Sequence, residues 1–277
     1  MIKLNAKNPK GKGGCQYHIA CHENDLSPYI LLPGDPDRVL KITQSWDEKR
    51  QVAFNREYRS ITGYFKNVKI SCLSTGIGAP STAIAIEEAA RLGVHTFIRV
   101  GSTGAIQRGI NPGDLIINTG GVRLEGTSKN YVRPEYPALA HYEVILALIE
   151  ACEKFKFRYH LGITASTDAF YVGEGRLGFK GYSQLNFKDI VPDLRKAKVT
   201  NLEMEASVLF TLANLYNLRA GAVCAVFDNL LTNKWIIKGE KEARKVACEA
   251  VVTLNQWDKI KNKKRKKHFY PSLIKLK

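Results

Sequence analysis

Short apolar runs, each closed by Gly, Pro or Asp, recur along the chain from Tyr29 onward. "YILLPGD", "VKISCLSTG", "HTFIRVGSTG", "GDLIINTGG", "YHLGITAST" and "AGAVCAVFDN" have the length and closing residues of mostly buried strands. Between several of them the apolar spacing changes to that of a helix. "PSTAIAIEEAARLG" opens with Pro80 and Ser81 and stops at Gly93, which is helix start and stop chemistry. "HYEVILALIEACEKF", "EMEASVLFTLANLYNL" and "EKEARKVACEAVVTLNQWDKI" are predicted helices on the same spacing. Strands alternating with helices predict an α/β layer fold around a largely parallel or mixed sheet. No composition shift, Gly/Ser linker or internal repeat divides the sequence. Residues 1–277 therefore read as one domain, with a short basic tail over about 261–277.

One run breaks the apolar pattern. "TNLEMEASVLF" sets Glu203 and Glu205 on either side of Met204 in largely apolar surroundings. Buried carboxylates cost several kcal/mol each unless something satisfies them. A helix start favours acids through its macrodipole. That alone gives no reason for their place among Leu, Met, Ala and Val.

Composition narrows the classes. With 277 residues and 44% of them hydrophobic, the chain can bury a sizeable core, which excludes a disordered polymer. The formal charge of +16 favours anionic partners, either nucleic acid or small phosphorylated species. Six scattered cysteines without CxxC spacing read as reduced thiols of a cytoplasmic protein, with no zinc site. The basic, polar start "MIKLNAKNPKGKGG" is not a signal peptide, and no run reaches the ~20 apolar residues of a membrane helix. The stretch "KNKKRKKHFYPSLIKLK" is open to two readings. It is a nucleic-acid tail or, the reading adopted, a solvated helix end continuing from Ile260.

Several motifs can be set against their chemistry. Gly173, Gly175 and Gly178 make a GxGxxG match, but no helical stripe follows, so the dinucleotide reading fails. No GxxxxGK[ST] loop is present. In "LLPGDPDRV" the bare N–H of Gly34 precedes Arg38 by four residues. That is an oxyanion cradle if the chain turns, or an ordinary turn with a surface arginine. "FIRVGSTGAIQ" puts Arg99 inside an apolar strand and follows it with Gly101, Ser102, Thr103 and Gly104. Ligands bind at that end of strands in open α/β sheets; a buried arginine paired with a structural carboxylate is the other reading. Arg56 in "FNREYRS" is a third basic candidate.

Taken in order, "HENDL", "LPGDPDRV", "STGIGAPSTAIAIEEAARLGVHTFIRVGSTGAIQ", "INPGDLI", "STDAFYVGEGR" and "NLEMEAS" resemble the nucleoside phosphorylase family, specifically the uridine phosphorylases. The resemblance runs from about Tyr17 to Asn229 and leaves out the basic tail. It implies a single α/β domain with a mixed central sheet, and cleavage of a nucleoside by inorganic phosphate. Gly34, Arg38, Arg99 and Ser102 would hold phosphate, with Arg56 of the partner subunit reaching in. Serine stands at 102 where the family usually has threonine, keeping the hydroxyl. Glu205 would bind the ribose 2′- and 3′-hydroxyls, Met204 would pack on the sugar, and Glu203 would support the same region. The partner subunit's His18 would meet the 5′-hydroxyl. Thr103, Gly104, Phe170 and Glu174 would line the base end, and Arg176 would donate to a base carbonyl. Arg99, Glu205, Arg176 and Asp228 are the groups implied to act on the reacting atoms. Glu57, Ile77 and Ser81 correspond to a monovalent-cation (K+) site in some members. No other cofactor is implied, phosphate being a co-substrate. The sharing of His18 and Arg56 implies at least a dimer, and the family assembles as a hexameric ring.

Two positions depart from the uridine pattern. Glu174 stands where those enzymes carry a base-reading glutamine. A carboxylate only accepts, which suits the N1–H and amino group of guanine better than uracil. Asp228 falls where hexameric purine nucleoside phosphorylases carry an aspartate that handles purine N7. Uridine is the expected substrate and 6-oxopurine nucleosides the rival. A hydrolytic relative would lack the arginine clamp, and a non-catalytic nucleic-acid binder would depend on the basic tail.

Overall fold

The computed structural model of the chain describes residues 6–184 and 189–274. All six runs predicted as strands are strands: β1 (Tyr29–Leu32), β4 (Val68–Leu73), β5 (Thr96–Ala105), β6 (Leu115–Arg123), β8 (Tyr159–Ser166) and β10 (Arg219–Asn229). The four predicted helices are α2 (Ala79–Ala90), α3 (Tyr142–Phe155), α5 (Ala206–Leu215) and α6 (Glu240–Lys263). Elements the periodicity did not disclose are α1 (Pro36–Thr43), α4 (Ile190–Lys196) and the hairpin β2 (Asp47–Asn55) and β3 (Tyr58–Phe65). The short strands β7 (Ala138–Leu139), β9 (Asn201–Glu203) and β11 (Lys234–Trp235) were equally hidden. The charged strand β2 is mostly exposed, and the ladder to β3 rather than burial holds it extended.

Strand β5 is the axis of a mixed sheet. On one side β1 and β4 run parallel to it in turn, and the antiparallel hairpin extends the sheet outward. On the other side β10 runs parallel to β5 and antiparallel to β6, β6 pairs β8, and β8 pairs β9. Because β9 then pairs back onto β5, these five strands close into a ring. The closure brings Gly104 of β5 between Leu202 of β9 and Asp228 of β10. A Cβ at Gly104 would lie 2.9 Å from an Asp228 carboxylate oxygen, so a larger residue there would displace the Asp228 side chain.

Side chains alternate along β5 and feed two cores. Ile98 and Val100 join the cluster beneath α1, α3 and α6, whereas Phe97 joins the one beneath α2 and α5. Arg99, two residues on from Phe97, points to the α2/α5 side. The sheet is thus covered by helices on both faces, as the strand–helix alternation predicts.

Two expectations change here, and one is met. "EMEASVLFTLANLYNL" is not helical throughout: Glu203 ends β9, and α5 begins at Ala206. The GxGxxG match runs from the 3-10 turn Val172–Glu174 to the residue before a second one, Phe179–Gly181, with no α-helix opening at its last glycine, as the rejection of a dinucleotide site requires. The basic tail is not wholly a solvated helix end. Phe269 stacks on Trp257 at 3.9 Å, Leu273 is buried, and Lys261 is buried between Glu143 and Asp258. An interior glutamate needs a counter-charge, and the tail supplies it; residues 275–277 lie outside the described residues. The six cysteines are buried and unpaired. Among the described residues no helix is long and apolar enough to cross a membrane.

Candidate active site

A cavity of about 300 Å³ opens at the C-terminal end of β5. Arg99 forms its floor, 6% exposed. Its guanidinium spans the two acids that broke the apolar pattern: Nε lies 3.0 Å from Glu203 Oε2 and Nη2 2.5 Å from Glu205 Oε2. Burial pulls the Arg99 pKa down, but Glu205 and Glu203 outweigh it and the net shift is upward, so the charge is fixed.

The two glutamates are held differently. Glu203 Oε2 also accepts from the backbone N–H groups of Glu205 and Ala206 at 2.9 and 2.8 Å, and Oε1 accepts from the Ser166 hydroxyl. It therefore caps α5, where free N–H groups and the macrodipole favour an anion, and positions its neighbours. Glu205 Oε1 accepts from Gly78 N at 2.6 Å, at the start of α2. Burial pushes the Glu205 pKa up, against the pull of Arg99. Helix-start capping and pairing with a buried arginine, two readings held apart at the sequence level, are both present here, in a cavity wall.

Gly34, Arg38 and Ser102 line the same cavity. Gly34 lies where a Cβ would come 3.1 Å from Gly76 O, and Arg38 is four residues along because Asp35 caps α1 immediately after it. Arg38 pairs with Glu240 of α6 at 2.6 Å. In one chain the cavity wall sets three guanidiniums against five carboxylates, so the arginine cluster is not by itself an electropositive cradle.

A second trio lines the cavity beside Phe170. The Arg176 guanidinium bonds Glu174 Oε2, Asp228 Oδ2 at 2.9 Å and the Phe170 carbonyl, and lies 4.3 Å over the Phe170 ring. Glu174 is 3% exposed, and burial pushes its pKa up to about 7 in spite of Arg176. Asp228 is raised too, again mainly by burial. A register shift in β10 makes Phe227 an extra residue between Val226 and Asp228. Consecutive strand residues normally face opposite ways; the bulge lets both Phe227 and Asp228 line the cavity.

The family model described as "Phosphorylase superfamily" matches residues 28–254. The chain is 60% identical over 270 residues, 98% of each chain, to a uridine phosphorylase of Thermococcus kodakarensis. The chain belongs to the phosphorylase superfamily. It is 40% identical to the uridine phosphorylase of Escherichia coli, over 77% of this chain and 85% of that one. It is also 40% identical to a guanosine phosphorylase of Halorubrum lacusprofundi, over 78% and 84% respectively. The Thermococcus match is long enough to enter the basic tail, which the resemblance had left out.

In this phosphorylase nearly every residue predicted for the chain's own site reaches the cavity. Thr103, Gly104 and Met204 line it as well. Thr103 supplies wall rather than a spare donor: its hydroxyl donates to Leu202 O at 2.6 Å and accepts from Asn201 at 2.8 Å. His18 and Arg56 do not line it. They lie together on another face, where Asn55 donates to the His18 carbonyl and Arg56 occupies the two-residue turn of the β2–β3 hairpin at φ +54°. His18 Nδ1 is 2.7 Å from Glu88. Glu57 and Ser81 meet across Gly76: a Cβ there would touch Glu57 Cγ at 2.8 Å and Ser81 Oγ at 3.3 Å. Ser81 Oγ donates to Ile77 O, and Ile77 also lines the cavity. These are oxygen donors of the kind hard cations take. Asp35, Leu202, Phe227 and Trp235 also line the site and were not foreseen. Trp235 pairs with Asp228 across the β10–β11 ladder. Nothing in "LLTNKWIIK" signals that, because it depends on a bulge and a two-residue strand.

Proposed function

We propose that this phosphorylase cleaves uridine with inorganic phosphate, giving uracil and ribose 1-phosphate. The observation that carries the proposal is one cavity in which Arg38, Arg99 and Ser102 adjoin Glu205 and Met204, with Phe170 and Arg176 in the same wall. The 60% identity to a uridine phosphorylase supports the choice of base.

In this reading a phosphate oxygen attacks C1′ as the bond to the base nitrogen breaks, and the electron pair leaves with the base. Positive charge grows on the sugar. It is stabilised by the phosphate and by Glu205, which accepts from the 2′- and 3′-hydroxyls and is itself buried in the cavity wall. Arg99 lines the cavity while its Nε and Nη2 face Glu203 and Glu205, and in this reading it donates to phosphate with an N–H that neither carboxylate takes. Arg176 disperses the negative charge of the departing base. No covalent intermediate is needed.

Five carboxylates against three guanidiniums are a poor host for a phosphate dianion. The missing charge is assigned to Arg56 of the partner subunit, so the working unit is at least a dimer and, by family habit, a hexamer. Exposed Ile77, Phe54 and Tyr17 on or beside the segments that carry His18 and Arg56 are apolar surface of the kind an interface covers. Glu57, Ser81 and the Ile77 carbonyl are assigned to K+ at that interface. Buried free thiols fit a reducing, cytoplasmic setting.

The 6-oxopurine reading is kept because Glu174 presents acceptors to the N1–H and amino group of guanine, and Asp228 stands where hexameric purine nucleoside phosphorylases carry the aspartate that handles N7. The 40% identity to a guanosine phosphorylase accords with it. The test is incubation of uridine and guanosine with and without phosphate. The expected result is phosphate-dependent base release with one ribose 1-phosphate per base. Free ribose would mean hydrolysis, and survival of both nucleosides would overturn the proposal.

A further inference from the structure

Two carboxylates share one guanidinium at the Phe170 wall. Arg176 donates to Glu174 Oε2, to Asp228 Oδ2 and to the Phe170 carbonyl, which takes three of its five N–H groups and leaves the others for a base. Glu174 Oε1 takes no hydrogen bond among the described residues. The side chain is nonetheless 3% exposed and lines the cavity, so this oxygen is held for whatever enters. With both acids ionised the trio carries a net negative charge exactly where a base anion must depart, which opposes cleavage. One retained proton removes that charge.

We propose that Glu174 is a protonation-dependent selector of the base: its neutral carboxyl reads uracil as an amide would, and its carboxylate reads the edge of guanine. The proposal rests on the nucleoside phosphorylase reading of the cavity. A neutral carboxyl offers one acceptor and one donor, matching the N3–H and a carbonyl oxygen of uracil. A carboxylate offers two acceptors, matching the N1–H and amino group of guanine, and repels a uracil carbonyl. Arg176 serves both bases by donating to a carbonyl oxygen.

The surroundings of Glu174 favour the switch near neutrality. The charged groups that act on it are Arg176 from the same turn, Asp228 from β10 and Glu203 from β9. Burial raises its pKa most, Arg176 opposes, and the two other carboxylates add to the rise, leaving it at about 7. Asp228 is raised by burial as well and competes for the same proton, so the titration belongs to the trio. The proton is held below about pH 7 and lost above it, so uridine is favoured on the acid side and guanosine on the alkaline side.

The test is competition. Uridine and guanosine are mixed with enzyme and phosphate in one vessel over a pH series, so that the ionisation of phosphate cancels from the ratio of the two kcat/KM values. The guanosine-to-uridine ratio is expected to rise about 10-fold or more across the transition. In Glu174→Gln it should be flat and should favour uridine. A ratio independent of pH in the unmodified enzyme, or one left unchanged by Glu174→Gln, would overturn the proposal. Calorimetric binding of free uracil and free guanine at two pH values keeps the test open if the variant does not fold or no nucleoside is cleaved. Uracil must bind more tightly at the lower pH and guanine at the higher. No change in either affinity would sink the selector, whatever becomes of the phosphorylase reading.

Discussion

Removing Glu205 and a ribose hydroxyl together isolates the contact proposed between Glu205 and the sugar. Glu205 Oε1 accepts from Gly78 N and Oε2 pairs with Arg99, so Glu205→Ala has a folding cost and a catalytic cost. The folding cost is the orphaned Gly78 N–H, about 1–3 kcal/mol; Arg99 keeps Glu203 as a counter-ion. The catalytic cost is two hydrogen bonds from ribose to an ionised acceptor, about 1.5–3 kcal/mol each. At 1.36 kcal/mol per decade, that lowers kcat/KM about 150-fold to 25,000-fold. The loss alone would not show which atoms are involved. Comparing uridine with 2′-deoxyuridine does, because the second substrate lacks one of the two donors. The intact enzyme should prefer uridine by about 10-fold to 100-fold, one such bond. In Glu205→Ala that preference should fall to near unity, while thermal unfolding verifies that the variant is folded. A preference that survives the substitution would refute the ribose role of Glu205, whatever the size of the rate loss.

Mixing inactive subunits tests whether Arg56 serves a neighbour: Arg56→Ala and Glu205→Ala chains, denatured and refolded together, should regain about a quarter of normal sites. No recovery would place Arg56 in its own chain's site or outside any. Gly104→Ala should cut kcat/KM by at least about 10-fold by pushing its methyl against the Asp228 carboxylate, which a Cβ would meet at 2.9 Å; an unchanged rate for both uridine and guanosine would count against a base role for Asp228. Glu143→Ala should cost about 3 kcal/mol in urea unfolding, the lower end for breaking a buried pair, since Asp258 still faces Lys261 and Arg219. Burial raises the Glu143 pKa, but Lys261 and Arg219 outweigh it and hold it below its ordinary value. Its contribution is therefore complete above about pH 4.5 and drains away as pH falls below that, a slope the variant should lack.

The strands and helices legible in the sequence are those that bury a continuous apolar stripe. β5 and β10 are almost wholly buried, so their composition announces them. β2 is held by main-chain bonds with polar side chains outward, and β9 is three residues long; neither leaves a periodic trace. The α1 helix left start signals rather than a periodic trace, with Asp35 as cap and Pro36 in the first turn inside a motif read as a turn. Arg99, Glu203 and Glu205 were legible because charge in an apolar run demands a partner. That the partner is each of the others was not, because it requires β9 to close on β5. The excess of positive charge favoured an anionic partner but did not locate the site, since acids outnumber arginines in the cavity wall.

A circular arrangement of strands has no free margin along which one member can slide. Arg99, Glu203 and Asp228 stand on strands of that circle, so its ladders fix their spacings, whereas Phe170, Glu174 and Arg176 hang from a turn outside it. On the proposed roles, contact with the sugar belongs to the circle, while the turn supplies most of what would read the base, with Asp228 meeting it from β10. Exchanging residues 167–178 between relatives should retune which nucleoside is accepted without disturbing the machinery that breaks the bond.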